Sequence, residues 1–201
     1  YNYGEFSSNR GLEHSVIIDR IFLDIDAHGN DSLEEAYQNL KDLHGWLVKR
    51  NLKHRMAFSG RGFYIFVYGN RTSDLRRVKA FFNICHDVIN KSTLLDHRVI
   101  NTTRLRRVQN TYHLGAKRFS IPLRQSDLKH DLSFIIEMSK KQRRGSNEYY
   151  GEQLLVWPTV KEIEAAEIEI ESVESPATLP IIPCLHSANL VQNPLHEARY
   201  L

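Results

Sequence analysis

Val16 to Asp26 (VIIDRIFLDID) is rich in β-branched and apolar residues and reads as a strand, broken by Gly29-Asn30-Asp31. Ser32-Leu33-Glu34-Glu35 then has the form of a helix start, with Ser32 as N-cap. Leu33, Ala36, Tyr37, Leu40 and Leu47 follow at helical spacing, so the helix is expected to run to about Lys49. Arg55 to Phe58 and Tyr64 to Tyr68 read as two strands joined by a tight Ser-Gly-Arg-Gly connection. A second amphipathic helix spans Asp74 to Asn90, with Leu75, Val78, Phe82, Cys85 and Ile89 on one side. Beyond it the pattern is less regular, with a strand expected over Arg118 to Leu123 and a short helix over Asp131 to Lys141.

From about Ser146 the character changes. A Glu-rich run to Glu174 leads into Ser175-Pro176, Leu179-Pro180 and Pro183. Three parts are therefore expected: a core over residues 1–145, an acidic linker or strap over 146–180, and a restart over 181–201. As a strap, the middle part would lie on the core through Leu154, Leu155, Val156 and Trp157.

Composition narrows the class. The 201 residues can bury a real core, and no stretch approaches the roughly 18 to 20 consecutive apolar residues of a membrane span. No secretory signal pattern opens the sequence. Cys85 and Cys184 are the two cysteines and lie far apart, so there is no disulfide framework and no CxxC zinc pattern. A reducing, cytoplasmic setting is expected. The net charge of +3 is small, but arginine and lysine are dense between Arg98 and Arg144 while Glu148 to Glu174 is acidic. The basic middle is compatible with a polyanionic partner, although Lys140 to Arg144 also fits a solvated helix.

Three constellations carry candidate chemistry. In Asp24-Ile25-Asp26 the two carboxylates project from one face of a strand, where their repulsion calls for a cation. Hard oxygen ligands so placed suit Mg²⁺ or Mn²⁺; the alternative is a strand end with two solvated aspartates. In Ser59-Gly60-Arg61-Gly62-Phe63-Tyr64 glycines allow close approach to phosphates, and Arg61 can pair with their oxygens bidentately. An ordinary turn with an exposed arginine has the same form. Asp96, then Arg104 to Arg107 and His113, can add a third carboxylate and further phosphate contacts, or leave His113 as a partly buried histidine.

Taken in order over roughly Ile17 to Leu123, these pieces resemble the archaeo-eukaryotic primase superfamily. The resemblance rests on the DxD of Asp24 and Asp26, the SGRG segment Ser59 to Tyr64, Asp96 after a hydrophobic residue, and the basic stretch Arg104 to His113. It implies an α+β fold, an RNA-recognition-motif-like (RRM-like) core with a mainly antiparallel sheet and flanking helices. Asp24, Asp26 and Asp96 would be both metal ligands and catalytic residues, holding two Mg²⁺ or Mn²⁺ ions. Ser59, Gly60, Arg61, Tyr64, Arg104, Arg107 and His113 would bind the nucleotide. Two departures stand out: Tyr64 occupies the position of the family's nucleotide-binding histidine, and Gln109 and Thr111 replace a proline and a serine.

Ile181-Ile182-Pro183-Cys184-Leu185 and His196-Glu197-Ala198-Arg199-Tyr200 resemble the opening of the iron–sulfur domain of the primase large subunit. That resemblance implies a fused primase, as in archaeal plasmids or viruses. A [4Fe–4S] cluster would need cysteines beyond Cys184, which is the last in this sequence; a chance Pro-Cys is the alternative. The expected activity is template-directed primer synthesis from nucleoside triphosphates on single-stranded DNA, with a large-subunit domain in cis. A catalytically weakened nucleic-acid-binding module and a metal-dependent nuclease are the rivals.

Overall fold

Nine strands and helices follow one another among the described residues: β1 (Ile18–Asp26), α1 (Leu33–Lys49), β2 (His54–Phe58), β3 (Gly62–Thr72), α2 (Leu75–Val88), β4 (Tyr112–His113), β5 (Arg118–Phe119), β6 (Ile121–Leu123) and α3 (Leu132–Met138). The computed structural model describes residues 16–27, 32–100, 107–145 and 148–159. The protein is α+β, with an antiparallel four-stranded sheet in the order β1-β3-β2-β6 and a separate β4–β5 hairpin.

Local chemistry explains the helix starts. Ser32 Oγ accepts from Glu34 N at 3.2 Å, and the Asp74 and Asp131 carboxylates accept from Arg76 N and Phe134 N, each at 3.0 Å. Alternation along the strands then sorts the sheet into two faces. Leu23, Ile25, Phe63, Ile65, Val67, Met56 and Phe58 all point to one side and are fully or almost fully buried. Tyr37 of α1 stacks on Phe63 at 5.5 Å, and Trp46 meets Phe81 of α2 at 6.2 Å, which places the helices on that side. Arg20, Phe22, Asp24 and Asp26 of β1, Tyr64, Phe66 and Tyr68 of β3, and Arg55 of β2 occupy the other.

The strand expected over Arg118 to Leu123 is two. Phe119 pairs with Tyr112 in the hairpin, whereas Ile121 pairs with Phe58 in the main sheet. The break falls at buried Ser120, whose amide donates to Thr111 O at 2.9 Å while its hydroxyl donates to Phe58 O at 3.0 Å. Both ladders are thus served by one residue.

Residues 148–159 lie along the core. Tyr150 exchanges two 2.8 Å backbone bonds with His54, and Leu155 bonds Tyr68 O and Asn70 N, each at 2.9 Å. Leu155 and Trp157 are buried; Leu154 and Val156 are exposed. Trp157 lies flush on Gly69, where an added Cβ would come within 2.7 Å of the indole. Residues 160–201, including Cys184 and the Pro183 to Leu201 segment, lie outside the described residues. No helix among the described residues is long and apolar enough to cross a membrane.

Tyr150 also closes over a buried histidine pair. His54 Nδ1 donates to Leu52 O at 2.7 Å, so its Nε2 accepts from His44 Nδ1 at 2.8 Å, and His44 Nε2 has no partner. Burial, with His54 close by, pulls the His44 pKa down to about 4, and burial lowers His54 as well. Unfolded histidine binds its proton near pH 6.5, so the unfolded state gains protons first as pH falls. Stability is therefore expected to be flat above about pH 6.5 and to drop between about 6.5 and 4, by about 3 kcal/mol from His44 alone. Thermal unfolding at pH 7.5 and 4.5 measures it, and His44→Gln should flatten the dependence. An equally steep dependence in the glutamine variant would clear the pair of responsibility.

Candidate metal and nucleotide site

β1 ends at Asp26, and its register against β3 sets Asp24 opposite Tyr64 and Asp26 opposite Gly62. The two carboxylates share the sheet face away from the helices, with Ile25 between them buried on the helix side. On the outer edge of β1 the chain after α2 makes one bridge, Ile25 to Leu95. Asp26 N donates to Leu94 O and Asp96 N to Asp24 O, both at 2.9 Å. That pairing puts Asp96 directly across from Asp24, on the same face.

The SGRG turn is built by its own serine. Ser59 N donates to Gly62 O at 2.8 Å, and Ser59 Oγ accepts from Gly62 N at 2.8 Å and Arg61 N at 3.3 Å. Those two amides are therefore spent inside the turn instead of being offered to a phosphate. The glycines have different duties. Gly60 sits at φ +101°, and an added Cβ would be 3.0 Å from His113 Cβ, so it admits the β4–β5 hairpin. Gly62 admits β1 itself: its Cβ would lie 2.2 Å from Ile25 O.

Arg61 turns back across the strand end. Its Nε and Nη2 grip Asp26 Oδ1 and Oδ2 at 3.0 and 2.6 Å, and this bond raises the guanidinium pKa. Asp96 is held similarly, with Arg98 Nε at 3.0 Å and Arg98 N at 2.9 Å from its Oδ1. With those carboxylates drawn to arginines, no three Asp, Glu, His or Cys side chains among the described residues are gathered closely enough to enclose an ion.

Tyr64 and His113 complete the wall. Burial, and then the Asp24 charge, push the Tyr64 phenol up to about 12, against a hydrogen bond from Ser59. Tyr64 is a neutral donor at any physiological pH. His113 comes from the hairpin, its Nδ1 accepting from Ala116 N at 3.2 Å, which leaves the proton on Nε2. Burial and the charges of Arg107 and Arg61 lower its pKa, so it too is a neutral donor.

Asp24, Asp26, Ser59, Arg61, Tyr64, Arg107 and His113 line one cleft of about 210 Å³. Comparison with protein-family models, with curated proteins and with solved structures returns no match. The cleft must therefore be read from its own chemistry. Of the remaining candidates, Asp96 stands beside Asp24 outside that wall, Gly60 lies in the turn behind it, and Arg104 is outside the described residues. Sequence reasoning counted Arg98 in the basic stretch but missed its pairing with Asp96, whose signal was an arginine two residues after an aspartate, as in Asp74 and Arg76. It also missed an adjoining cavity of about 560 Å³ that shares Arg61 and His113 and is lined by Gly60, Gly115, Ala116, Leu33 and Arg118. Small residues just after His113 were its trace.

Part of the expected basic track is neutralised internally. Arg143 is turned onto buried Asp127, Arg124 faces Glu148 at 3.6 Å, and Lys140 pairs with Glu137 at 2.5 Å. The helix ends at Met138, so Lys140 to Arg144 is not a solvated helix face.

The Arg61–Asp26 pair has a measurable consequence. A divalent ion and Arg61 compete for one carboxylate, so Arg61→Ala is expected to tighten Mn²⁺ binding about five-fold, the equivalent of about 1 kcal/mol for a half-exposed pair. For a triphosphate the expectation is the opposite: losing a cation from the cleft wall should weaken its binding. Electron paramagnetic resonance of free Mn²⁺, with and without nucleotide, reads both. Unchanged Mn²⁺ affinity would show that the pair does not guard the site.

Proposed function

We propose that this protein is a metal-dependent nucleotidyltransferase that extends or synthesises primers on single-stranded DNA, with a primase-polymerase core resembling the archaeo-eukaryotic primases. The observation that carries the reading is convergence. Motifs from β1, the SGRG turn, β3 and the distant hairpin, separated by up to some ninety residues of chain, meet in one cleft carrying both carboxylates and phosphate donors. The topology supports it as well. The order β1-β3-β2, with the chain at Leu95 bridging the outer edge of β1, is the arrangement expected of an RRM-like sheet, extended here by β6 beyond β2.

Released from Arg61 and Arg98, Asp26 and Asp96 would supply, with Asp24, an all-oxygen donor set that suits Mg²⁺ or Mn²⁺. Two ions held there would favour attack by a 3′-hydroxyl and departure of pyrophosphate. The protein's own residues do the rest. Arg61 exchanges Asp26 for phosphate oxygens, which ties cation capture to nucleotide arrival. Arg107 adds charge, and His113 Nε2 and the Tyr64 hydroxyl donate hydrogen bonds without adding charge. Because Tyr64 takes the place of a residue that can carry charge, triphosphate binding leans on Arg61 and Arg107.

Tyr64 is also what favours the second reading, a weakened module that grips nucleic acid without turnover. Primer extension on a labelled template with Mg²⁺ or Mn²⁺ separates the two. Incorporation that needs metal and triphosphate supports the enzyme, whereas oligonucleotide binding with no incorporation supports the module. DNA degradation without nucleotides would instead mark a nuclease.

A further inference from the structure

Away from the carboxylates, the same sheet face becomes aromatic and cationic. Beyond Tyr64, the next side chains of β3 on this face are Phe66 and Tyr68, a reach of about 13 Å along the strand. The Arg55 guanidinium lies over the Phe66 ring at 3.9 Å, and its Nε donates to Tyr68 Oη at 2.9 Å. Arg20 lies over Tyr68 at 5.0 Å. Tyr149, 52% exposed, packs on Tyr68 at 5.5 Å and has Lys53 over its ring, also at 5.5 Å.

What distinguishes this patch is an arginine with no carboxylate beside it. Arg61, Arg98, Arg76, Arg124 and Arg143 each face an Asp or Glu. Arg20 shares Asp19 at 2.6 Å, but Arg55 has no acidic partner among the described residues. A sheet face meant only for solvent has no need of three neighbouring rings and cations on their faces. A face meant for a protein core would not hold unneutralised arginine. Flat rings and a flat guanidinium, with positive charge at their rim, match stacked bases on a phosphate backbone.

We propose that this aromatic–arginine face binds single-stranded nucleic acid, with bases stacking on Tyr149, Tyr68 and the outer plane of Arg55. Phosphates meet Lys53, Arg20 and Arg55. The face runs into Tyr64 beside Asp24, so a strand lying on it is led to the cleft. Naming that strand the template rests on the nucleotidyl-transfer reading; the binding itself does not.

The test is fluorescence anisotropy of a labelled oligothymidylate with the full chain, without metal or nucleotide. Tyr149→Ala, at a half-exposed position, is expected to weaken binding about five-fold, and the Tyr149→Ala/Arg55→Gln pair at least tenfold. Tyr149→Phe should bind like the wild type, since the ring supplies the stacking. Wild-type affinity in both alanine-bearing variants overturns the proposal, as does equal competition by duplex. Loss in Tyr149→Phe as large as in Tyr149→Ala overturns the stacking. The two readings fail separately. Binding lost in the platform variants, in a wild type that incorporates no nucleotide, upholds this surface and sinks the enzyme. Unaltered oligonucleotide affinity alongside normal incorporation does the reverse.

Discussion

Asp24→Asn and Asp26→Asn are each expected to lower metal-dependent nucleotide incorporation by about 10³-fold or more, while leaving the protein folded. An asparagine keeps the shape and one oxygen but removes the charge that holds a divalent ion, and several kcal/mol of transition-state stabilisation depend on that ion. Stability should move little, and for different reasons at the two positions. Asp24 stands among carboxylates, with Asp26 on its own strand and Asp96 directly across. Neutralising it relieves repulsion from Asp26 and also gives up attraction to Arg61, opposing effects that should leave its unfolding midpoint close to that of the wild type. Asp26 loses its bond to Arg61, but that arginine is half exposed, so the loss is at most about 1 kcal/mol. Incorporation and thermal unfolding measured on the same preparations check both halves. Full activity in the two variants would refute the metal site; inactivity with a collapsed midpoint would reduce the aspartates to structural residues.

Gly62→Ala is expected to be the most damaging single-methyl change in the site. Its Cβ would sit 2.2 Å from Ile25 O and 2.8 Å from Asp26 Cα, and both are backbone atoms that no rotamer can move. The strands must part where Asp26 is held, at a cost of about 3 kcal/mol or more, equivalent to roughly 10 °C in midpoint for a domain of this size. Activity should fall further than stability, because the displaced residue is a proposed metal ligand. Gly45→Ala is the control. It lies in α1 with nothing within 4 Å of its Cβ, so it should stabilise by about 0.5–1 kcal/mol. A Gly62→Ala protein as stable as the wild type would mean that β1 and β3 are less closely apposed than described.

The SGRG segment shows how far a motif can be read from sequence. Its spacing foretold a tight turn between strands, which is found, whereas the arginine read as a phosphate partner is bonded to Asp26. The glycines were read as openings for phosphate, but Gly62 makes room for β1 and Gly60 for the hairpin. The amides, too, are used by Ser59 and not held open. A turn's sequence reports the conformation its glycines permit, not which neighbour fills the space they leave. Arg118 to Leu123 failed differently. Its apolar content is strand-like throughout, and only the contacts of Ser120 with two separate ladders divide it.

The facing of Asp24 and Asp26 follows from the two-residue period of a strand, and the helices from their apolar spacing and the caps at Ser32, Asp74 and Asp131. These are local properties, set by bond geometry and hydrogen bonds within a few residues, so the sequence by itself determined them. Tertiary structure alone decided that Asp96 lies across from Asp24, that Arg61 and Arg98 hold carboxylates, that His113 arrives over Gly60, and that Arg143 is turned onto Asp127. It also gathered Arg55, Tyr68 and Tyr149 on one surface, although none of them belongs to a motif. Each of these depends on which segments become neighbours, and that choice is made by burial of the whole sheet face and by charge pairing across it.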